Sequence, residues 1–263
     1  MRMFDYTDAI VRSPAQSVVS GLRKNPEAVP DFNGVLREHA AYVAALRRTG
    51  LKVEVLPPLE TFPDSVFVED PALVLPNGAV LLRPGAPTRL FESKELRPVL
   101  NRRFHTLLEL SDGEFADGGD VLVTPEIVYV GLSARTNRAG AEALLRLLAR
   151  FGLKTRIVET PEGILHLKSG VSLLSEETLL ANSAIAQSGM FGDFKIVELP
   201  PAEEHAVNAV RIRDTVLMNA RFPRAIELIA KQGLHVIPLQ IDEVVKLDAG
   251  LSCMSLRWFA AEG

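Results

Sequence analysis

The stretch "GVLREHAAYVAALRRTGLKVEVLPP", residues 34–58, contains the unit that decides the fold. Its first part places apolar residues at helical spacing, a glycine ends that pattern, and the apolar residues that follow alternate as in a β-strand. The same order recurs in "RAGAEALLRLLARFGLKTRIVE", residues 138–159, and in "RAIELIAKQGLHVIPLQ", residues 224–240. We therefore expect Gly50, Gly152 and Gly233 to end three helices in the left-handed conformation.

Further strands are predicted around these units. "RFHTLLEL" (103–110) and "DFKIVELP" (193–200) repeat the strand part of the pattern. Hairpins are predicted where two apolar runs flank Pro, Asn, Gly, Glu or Asp, at residues 71–85, 120–132, 170–183 and 209–220. A fifth pair forms if "LSCMSLRWF" (251–259) lies beside "MFDYTDAIVRS" (3–13). The sequence thus predicts an α/β fold of five strand-strand-helix-strand (ββαβ) modules about a pseudo-fivefold axis, in one domain over residues 1–263.

The composition limits the classes of function. The chain has 47% hydrophobic and 24% charged residues and a formal net charge of −4, which is typical of a soluble globular protein and does not favour binding to nucleic acid. No apolar run approaches the roughly 18 residues of a membrane span, and the N-terminus lacks a signal-peptide pattern. The single cysteine, Cys253, cannot form an intramolecular disulfide. We therefore expect a cytoplasmic protein with one free thiol and no membrane partner.

Polar groups interrupt the apolar pattern at the junctions between modules, where the loops of a repeat protein gather. The short stretches "FPDSVFVED", "FADGGDVL", "ILHLKSG" and "LSCMS" carry them: Asp64, Glu69, Asp70, Asp117, Asp120, His166 and Cys253. Taken singly, each has a structural explanation, since a lone cysteine is often a small buried hydrophobe and Asp-Gly-Gly-Asp often forms a turn. An acid, a histidine and a cysteine at equivalent places in successive modules are what a nucleophilic thiol site requires.

Several of these stretches carry a resemblance to a known family. "FVEDPALVL", "RPGAPTR", "DGGDVLVT", "VGLSARTNRAGAEAL", "LHLKSGVSLL" and "LDAGLSCMSLRW" resemble, in order along the chain, the dimethylarginine dimethylaminohydrolases of the guanidino-group-modifying superfamily. The resemblance implies a five-bladed α/β propeller, closed by pairing of the N- and C-terminal strands. It also implies hydrolysis of Nω-methylated arginines to citrulline through a covalent cysteine thiouronium intermediate, with no metal and no cofactor.

The resemblance implies a role for each matched residue. Cys253 matches the nucleophile, His166 the general acid and base, and Asp117 the acid that orients the histidine, with Glu114 as a second candidate for that acid. The other matched positions are expected to bind the substrate. Asp64, Glu69 and Asp70 match acids at its guanidinium and amino ends, Arg89 and Arg135 match bases near its carboxylate, Val18 matches an apolar position on a mobile lid loop, and Phe67 is an apolar wall.

Other functions stay open at this level. An arginine deiminase-like enzyme would release ammonia, and a non-catalytic protein that binds arginine-like ligands would need the acids and arginines but not the thiol. A protease or another amidase would have less use for three clustered acids. A metal site built from Cys253, His166 and Asp117 lacks the CxxC or HExxH spacing that would support it. The expected partner is a small-molecule substrate, and a homodimer through an exposed hairpin edge stays open.

Overall fold

The structure, a computed structural model, describes residues 3–260 and contains two compact units. Within the described residues, one unit consists of Asp70–Asn208 together with Met3 and Ala260, and the other combines Phe4–Glu69 with Ala209–Phe259. Across the described residues, fifteen strands form five three-stranded sheets, three in the first unit and two in the second. This is the number of modules that the sequence predicts.

The elements follow one another in the predicted ββαβ order. The chain begins with β1 (Asp8–Arg12), α1 (Phe32–Arg48) and β2 (Lys52–Leu56). The unit Asp70–Asn208 then contains β3 (Ala72–Leu75), β4 (Gly78–Leu81), α2 (Glu92–Arg103), β5 (Leu107–Glu109), β6 (Val121–Val123), β7 (Ile127–Leu132), α3 (Arg138–Ala149), β8 (Lys154–Glu159), β9 (Val171–Ser175), β10 (Thr178–Ala181), α4 (Ser183–Ser188) and β11 (Lys195–Glu198). The last segment contains β12 (Val210–Ile212), β13 (Thr215–Asn219), α5 (Pro223–Ala230), β14 (His235–Leu239), α6 (Asp242–Val245) and β15 (Leu256–Trp258).

All five sheets share one topology. The central strand pairs antiparallel with one neighbour and parallel with the other, in the orders β15-β1-β2, β3-β4-β5, β6-β7-β8, β9-β10-β11 and β12-β13-β14. A helix lies in each parallel connection, because parallel neighbours need a crossover whereas antiparallel neighbours can be joined by a tight turn. β1 pairs with β15 in antiparallel register, with Ala9 opposite Arg257, so the predicted pairing of the N- and C-terminal strands is confirmed.

The glycine-ended helices are also confirmed. Gly50, Gly152 and Gly233 follow α1, α3 and α5 with φ values of 91°, 74° and 80°, which is the left-handed region that glycine enters without a steric penalty. The sequence pattern did not identify α2, α4 and α6. α2 contains Pro98, and α4 and α6, with six and four residues, are too short to show a repeated helical pattern.

Each unit has its own apolar packing. In the unit Asp70–Asn208, Leu144 and Leu148 of α3 pack against Val128 and Val130 of β7. In the other unit, Tyr42 and Leu46 of α1 belong to one cluster with Leu217 and Met254. Within residues 3–260, no helix combines the length and the apolar character needed to span a membrane. The single domain over residues 1–263 stays a prediction, and both of its ends lie outside the described residues.

Short 3₁₀ helices precede the first strand of four modules, at Gly118–Asp120, Leu167–Ser169, Pro201–Val207 and Ser252–Met254. Each is anchored by apolar side chains in or directly after it, such as Leu167 and Met254, which are fully buried. Three of these helices carry residues of the predicted site. Asp117 and His166 directly precede two of them, and Cys253 lies within the third. The repeated module therefore gives those residues rigid attachment points.

His39 of α1 generates a prediction about acid stability. The side chain is buried, its Nε2 has no hydrogen-bond partner, and burial lowers its pKa from 6.5 to about 4. Below about pH 6.5 the unfolded chain takes up a proton on this side chain that the folded chain does not bind, so stability falls as the pH drops from 6.5 toward 4, by roughly 3 kcal/mol at most. We expect His39→Leu to lose less stability than the wild type over this range. Urea unfolding at pH 7 and pH 4.5 measures the difference; equal losses in the two proteins would contradict it.

Candidate active site

The predicted site residues fall into two groups, one in each unit. The first group contains a buried histidine–carboxylate pair. His166 precedes the 3₁₀ helix Leu167–Ser169, and its Nε2 lies 2.9 Å from Oδ2 of Asp117. Asp117 precedes the 3₁₀ helix Gly118–Asp120, and its second oxygen, Oδ1, accepts a hydrogen bond of 2.8 Å from the backbone N–H of Gly85. Asp117 is thus held between the backbone N–H of Gly85 and the ring of His166.

Glu114, the other candidate for the acid beside His166, is engaged elsewhere. Its Oε1 accepts a hydrogen bond from Arg146, and its Oε2 accepts one from the backbone N–H of Ser111. Sequence reasoning left the choice between Asp117 and Glu114 open. In the structure it is Asp117 that contacts His166.

Asp70 belongs to a buried ion-pair network in the same unit. Its Oδ2 lies 2.5 Å from Nη1 of Arg89, while Nη2 of Arg89 lies 2.8 Å from Oε2 of Glu92. Nε of Arg89 also donates to Glu92, so one guanidinium joins two buried carboxylates. Asp70 in turn accepts a hydrogen bond of 3.1 Å from the backbone N–H of Gly119. Glu92 is a residue of this network that sequence reasoning missed.

The acids determine the protonation state of His166. Burial lowers the pKa of His166, but the carboxylates of Asp70, Asp117 and Asp120 more than offset this effect and bring the pKa to about 9. Burial raises the pKa of Asp70, yet Arg89 and His166 outweigh it, and the net shift is downward. At neutral pH the imidazole ring of His166 is therefore in its positively charged form, with a proton on both nitrogens, which is the state that a general acid requires.

Arg135 follows β7 in the same unit. Its backbone N–H donates to Oγ of Ser133 over 3.0 Å, and its backbone carbonyl packs against Gly85, where a Cβ atom would lie only 2.2 Å from that oxygen. The side chain is half-buried, and no described carboxylate forms an ion pair with it. Arg135 thus differs from Arg89, whose charge is compensated by two acids.

The second group surrounds the cysteine. Cys253 lies in the 3₁₀ helix Ser252–Met254, is partly exposed and is not part of a disulfide. Its backbone carbonyl accepts a hydrogen bond of 3.1 Å from the N–H of Glu69, and Oγ of Ser252 donates to Oε2 of Glu69 over 2.9 Å. Glu69 is also 3.8 Å from Nη2 of Arg257. Two hydrogen bonds thus fix the segment around Cys253 to Glu69. Sequence reasoning missed Ser252 and Arg257 as partners of Glu69, although both lie in the motif around Cys253.

The remaining predicted residues are buried in the cysteine unit. Asp64 accepts a hydrogen bond of 2.9 Å from the backbone N–H of Leu22, and its backbone carbonyl accepts one from Phe67. Val18 lies in the 3₁₀ helix Gln16–Ser20 and is fully buried. Val18 and Phe67 both belong to the apolar cluster that contains Tyr42 and Met254.

Asp70, Asp117 and His166 form a cluster whose ligand-type atoms lie within 4.8 Å of one another. The carboxylate oxygens and the histidine nitrogen that could bind a metal already contact one another, backbone N–H groups or Arg89. A zinc ion needs such atoms at about 2.0–2.2 Å and would meet the charge of the adjacent guanidinium. The arrangement fits a hydrogen-bonded acid–base pair better than a metal site.

Comparison with known proteins extends over almost the whole chain. A family model described as N,N dimethylarginine dimethylhydrolase, eukaryotic, matches residues 23–259. The N(G),N(G)-dimethylarginine dimethylaminohydrolase of Pseudomonas aeruginosa is 38% identical over 250 residues, which cover 95% of this chain and 98% of that protein. Its counterpart in Streptomyces coelicolor is 33% identical over 253 residues, covering 95% and 96%. A solved structure of the Pseudomonas aeruginosa protein, a cysteine-to-serine mutant complexed with citrulline, aligns with a TM-score of 0.94 at 36% identity, covering 97% of this chain and 100% of that one.

Five ββαβ modules that carry a buried histidine–carboxylate pair and a partly exposed cysteine define a hydrolase of the guanidino-group-modifying class. Within that class, the chain belongs to the dimethylarginine dimethylaminohydrolase family. The predicted fold class, a five-module α/β propeller, and the predicted family are both confirmed.

The contact between Asp117 and His166 generates a prediction. Asp117→Asn removes the negative charge that accepts from the ring, so we expect the pKa of His166 to fall from about 9. Glu114→Gln is the matched control, because Glu114 lies three positions away but pairs with Arg146. NMR titration measures both, with the His166 signal assigned among the five histidines by its loss in His166→Gln. Equal shifts in the two variants would show that Asp117 is not the partner.

Proposed function

We propose that this chain hydrolyses Nω-methylated arginines and converts dimethylarginine to citrulline and dimethylamine, with Cys253 as nucleophile and His166 as general acid and base. The observation that carries this proposal is the buried pair of His166 and Asp117, 2.9 Å apart, in a member of a family of cysteine-containing amidine hydrolases. The pair supplies a proton at neutral pH, which the departure of an amine from a guanidinium carbon requires.

The acids suit a cationic substrate. A guanidinium group is stabilised by resonance, so its central carbon is a poor electrophile unless the cation is held and oriented. Carboxylates do this through charge-assisted hydrogen bonds, which are stronger than neutral ones. We assign this role to Asp70, with Glu69 and Asp64 at the amine-bearing ends of the substrate.

In the first half of the reaction, Sγ of Cys253 attacks the guanidinium carbon as a thiolate and forms a C–S bond. A cysteine thiol with its ordinary pKa of about 8.5 is mostly protonated at neutral pH, and a bound cation favours the thiolate. His166 then donates its proton to the methylated nitrogen, the C–N bond breaks, and dimethylamine leaves. A thiouronium group remains covalently attached to Cys253.

In the second half, water attacks the same carbon. His166, now neutral, accepts one proton from the water, the C–S bond breaks with its electron pair returning to Cys253, and the second proton of the water leaves to solvent. The product is citrulline, and the enzyme returns to its starting protonation state. Asp117 keeps the ring of His166 oriented in both halves and stabilises its charged form.

Two solved relatives support these assignments. A cysteine-to-serine mutant of the Pseudomonas aeruginosa enzyme is complexed with citrulline, and a histidine-to-glycine mutant of a dimethylarginine dimethylaminohydrolase forms an adduct with S-methyl-L-thiocitrulline. Each structure is 36% identical to this chain. The substituted cysteine follows the substituted histidine at the same separation at which Cys253 follows His166.

The two arginines are proposed to supply positive charge at the substrate carboxylate. Arg135 is the direct contact, because no described acid pairs with it. Arg89 lies near the carboxylate in the same proposal, and its ion pairs with Asp70 and Glu92 hold both its own guanidinium and Asp70 in place. Val18 and Phe67 are proposed to form the apolar side of the site from within their buried cluster.

Three further parts of the proposal concern the setting of the reaction. The single cysteine must stay reduced to act as a nucleophile, which favours a reducing compartment, so we place the enzyme in the cytoplasm. No cofactor is required, because each step exchanges one leaving group for one nucleophile. The homodimer stays a prediction.

Product analysis tests the proposal. The protein is incubated with asymmetric dimethylarginine, monomethylarginine and arginine, and citrulline, dimethylamine, methylamine and ammonia are quantified. We expect citrulline and dimethylamine in equal amounts from the dimethylated substrate, and no turnover by Cys253→Ser. Ammonia from arginine as the main activity would identify an arginine deiminase-like enzyme instead, and tight binding without turnover by the wild type would identify a binding protein.

Arg135 generates a second prediction. Arg135→Ala removes the cation that reads the α-carboxylate, so the preference of the wild type for methylarginine over its decarboxylated analogue is expected to fall by roughly 10- to 100-fold in kcat/KM. Arg138→Ala, which removes an exposed arginine paired with Glu159, is the control and keeps the preference. Because each variant is compared on two substrates, general damage to the fold cancels. An unchanged preference in Arg135→Ala would exclude Arg135 from carboxylate recognition.

A further inference from the structure

Asp120 is a fully buried acid that the proposed reaction does not use. Its Oδ2 accepts hydrogen bonds from Oγ of Ser133 at 2.6 Å and from Oγ1 of Thr136 at 2.7 Å. Its Oδ1 accepts a third, of 2.8 Å, from the backbone N–H of Leu167. Three donors point at one carboxylate, which is the environment of an ionised acid.

Two of these bonds lead to the two members of the acid–base pair. Leu167 directly follows His166, so Asp120 fixes the backbone at the point where the histidine leaves it. Thr136 uses its hydroxyl hydrogen to bind Asp120 and its oxygen to accept a hydrogen bond of 3.1 Å from the backbone N–H of Asp117. Asp120 is thus one hydrogen bond from the backbone next to His166 and two from the backbone of Asp117.

The segment that carries Asp120 also packs against the ring. A Cβ atom on Gly119 would lie 2.7 Å from Cγ of His166 and 3.0 Å from Oδ1 of Asp70. The backbone of the 3₁₀ helix Gly118–Asp120 therefore lies against the imidazole ring, and a displacement of this helix displaces the surface on which the ring rests.

We propose that Asp120 is a positioning residue: through Leu167 on one side and Thr136 on the other, it holds the backbones of His166 and Asp117 in the geometry in which their side chains meet. The expected effect on catalysis rests on the proposed function. The positioning of His166 and Asp117 by Asp120 concerns the protein without substrate and does not depend on that function. It assigns a purpose to a buried carboxylate that has no place in the chemical steps.

The charge of Asp120 contributes as well. The charged groups around His166 are Asp70, Asp117 and Asp120, and Arg89 compensates Asp70. Burial raises the pKa of Asp120 on balance, although His166 and the three donors act in the opposite direction and favour the charged form. Removing this charge is therefore expected to weaken the charged form of His166, in addition to loosening the backbone.

Thr136 allows a sharp test, because its two functions can be separated. Thr136→Val keeps the shape of the side chain and removes the hydroxyl, whereas Thr136→Ser keeps the hydroxyl. Thr124 is a matched control in the same unit: it is buried, it donates to the carbonyl of Ile127 over 2.6 Å, and it accepts from the N–H of Ile127. Thr124→Val loses comparable hydrogen bonds with no connection to Asp117 or Asp120.

We expect Thr136→Val to lower kcat for methylarginine on the order of 10- to 100-fold with KM nearly unchanged, because small displacements of catalytic groups have effects of this size. Thr136→Ser and Thr124→Val should keep kcat within about 2-fold of the wild type, a margin well below the loss expected from a displaced catalytic group. A rise in KM with unchanged kcat in Thr136→Val would overturn the inference, since it would mean that the segment acts on substrate binding through Arg135 alone.

A second measurement needs no turnover. NMR titration of His166 in Asp120→Asn should show a pKa below the wild-type value of about 9, and in Thr136→Val the His166 signal should move while Thr124→Val leaves it in place. An unchanged His166 signal and titration in both Asp120→Asn and Thr136→Val would overturn the inference. If the wild type does not hydrolyse methylarginines, the proposed function fails, and the titration still decides whether Asp120 positions His166.

Discussion

Charge compensation around the buried ring of His166 is the constraint on which the rest of the active-site unit depends. A buried charge is costly unless it is paired and hydrogen-bonded. His166 and Arg89 supply two cations against Asp70, Asp117, Asp120 and Glu92, and backbone N–H groups or hydroxyls bind most of the remaining carboxylate oxygens. Neutralising Arg89, for example, would leave the buried carboxylates of Asp70 and Glu92 without their shared cation.

The repeated module explains how so many polar groups reach fixed positions. The 3₁₀ helices Gly118–Asp120, Leu167–Ser169 and Ser252–Met254 each occupy the same place, directly before the first strand of a module. Buried apolar side chains in or next to each helix, such as Leu167 and Met254, anchor it to the core of its unit. One structural solution is thus used three times: Asp117 and His166 directly precede their 3₁₀ helices, and Cys253 lies within its own.

The fold was largely predictable because its signals are local. Glycines at 50, 152 and 233 end helices and precede strands, and each paired run of apolar residues forms the expected hairpin. The helices that escaped prediction are those whose local pattern is weak, since α2 contains Pro98 and α4 has six residues. Their positions follow from the crossover that each parallel strand pair requires, which is a property of the sheet and not of the segment itself.

The sequence by itself determined the modules, the lone thiol and the set of residue types from which a cysteine hydrolase can be built. Only the tertiary structure decided which partner each side chain meets. It places Asp117 and not Glu114 beside His166, gives Arg89 to Asp70 and Glu92, and turns Asp120 toward Leu167 and Thr136. The physical reason is distance along the chain. Asp117 and His166 are 49 residues apart, and periodicity constrains the local conformation of each segment but not the packing that brings two such segments within a hydrogen bond of each other.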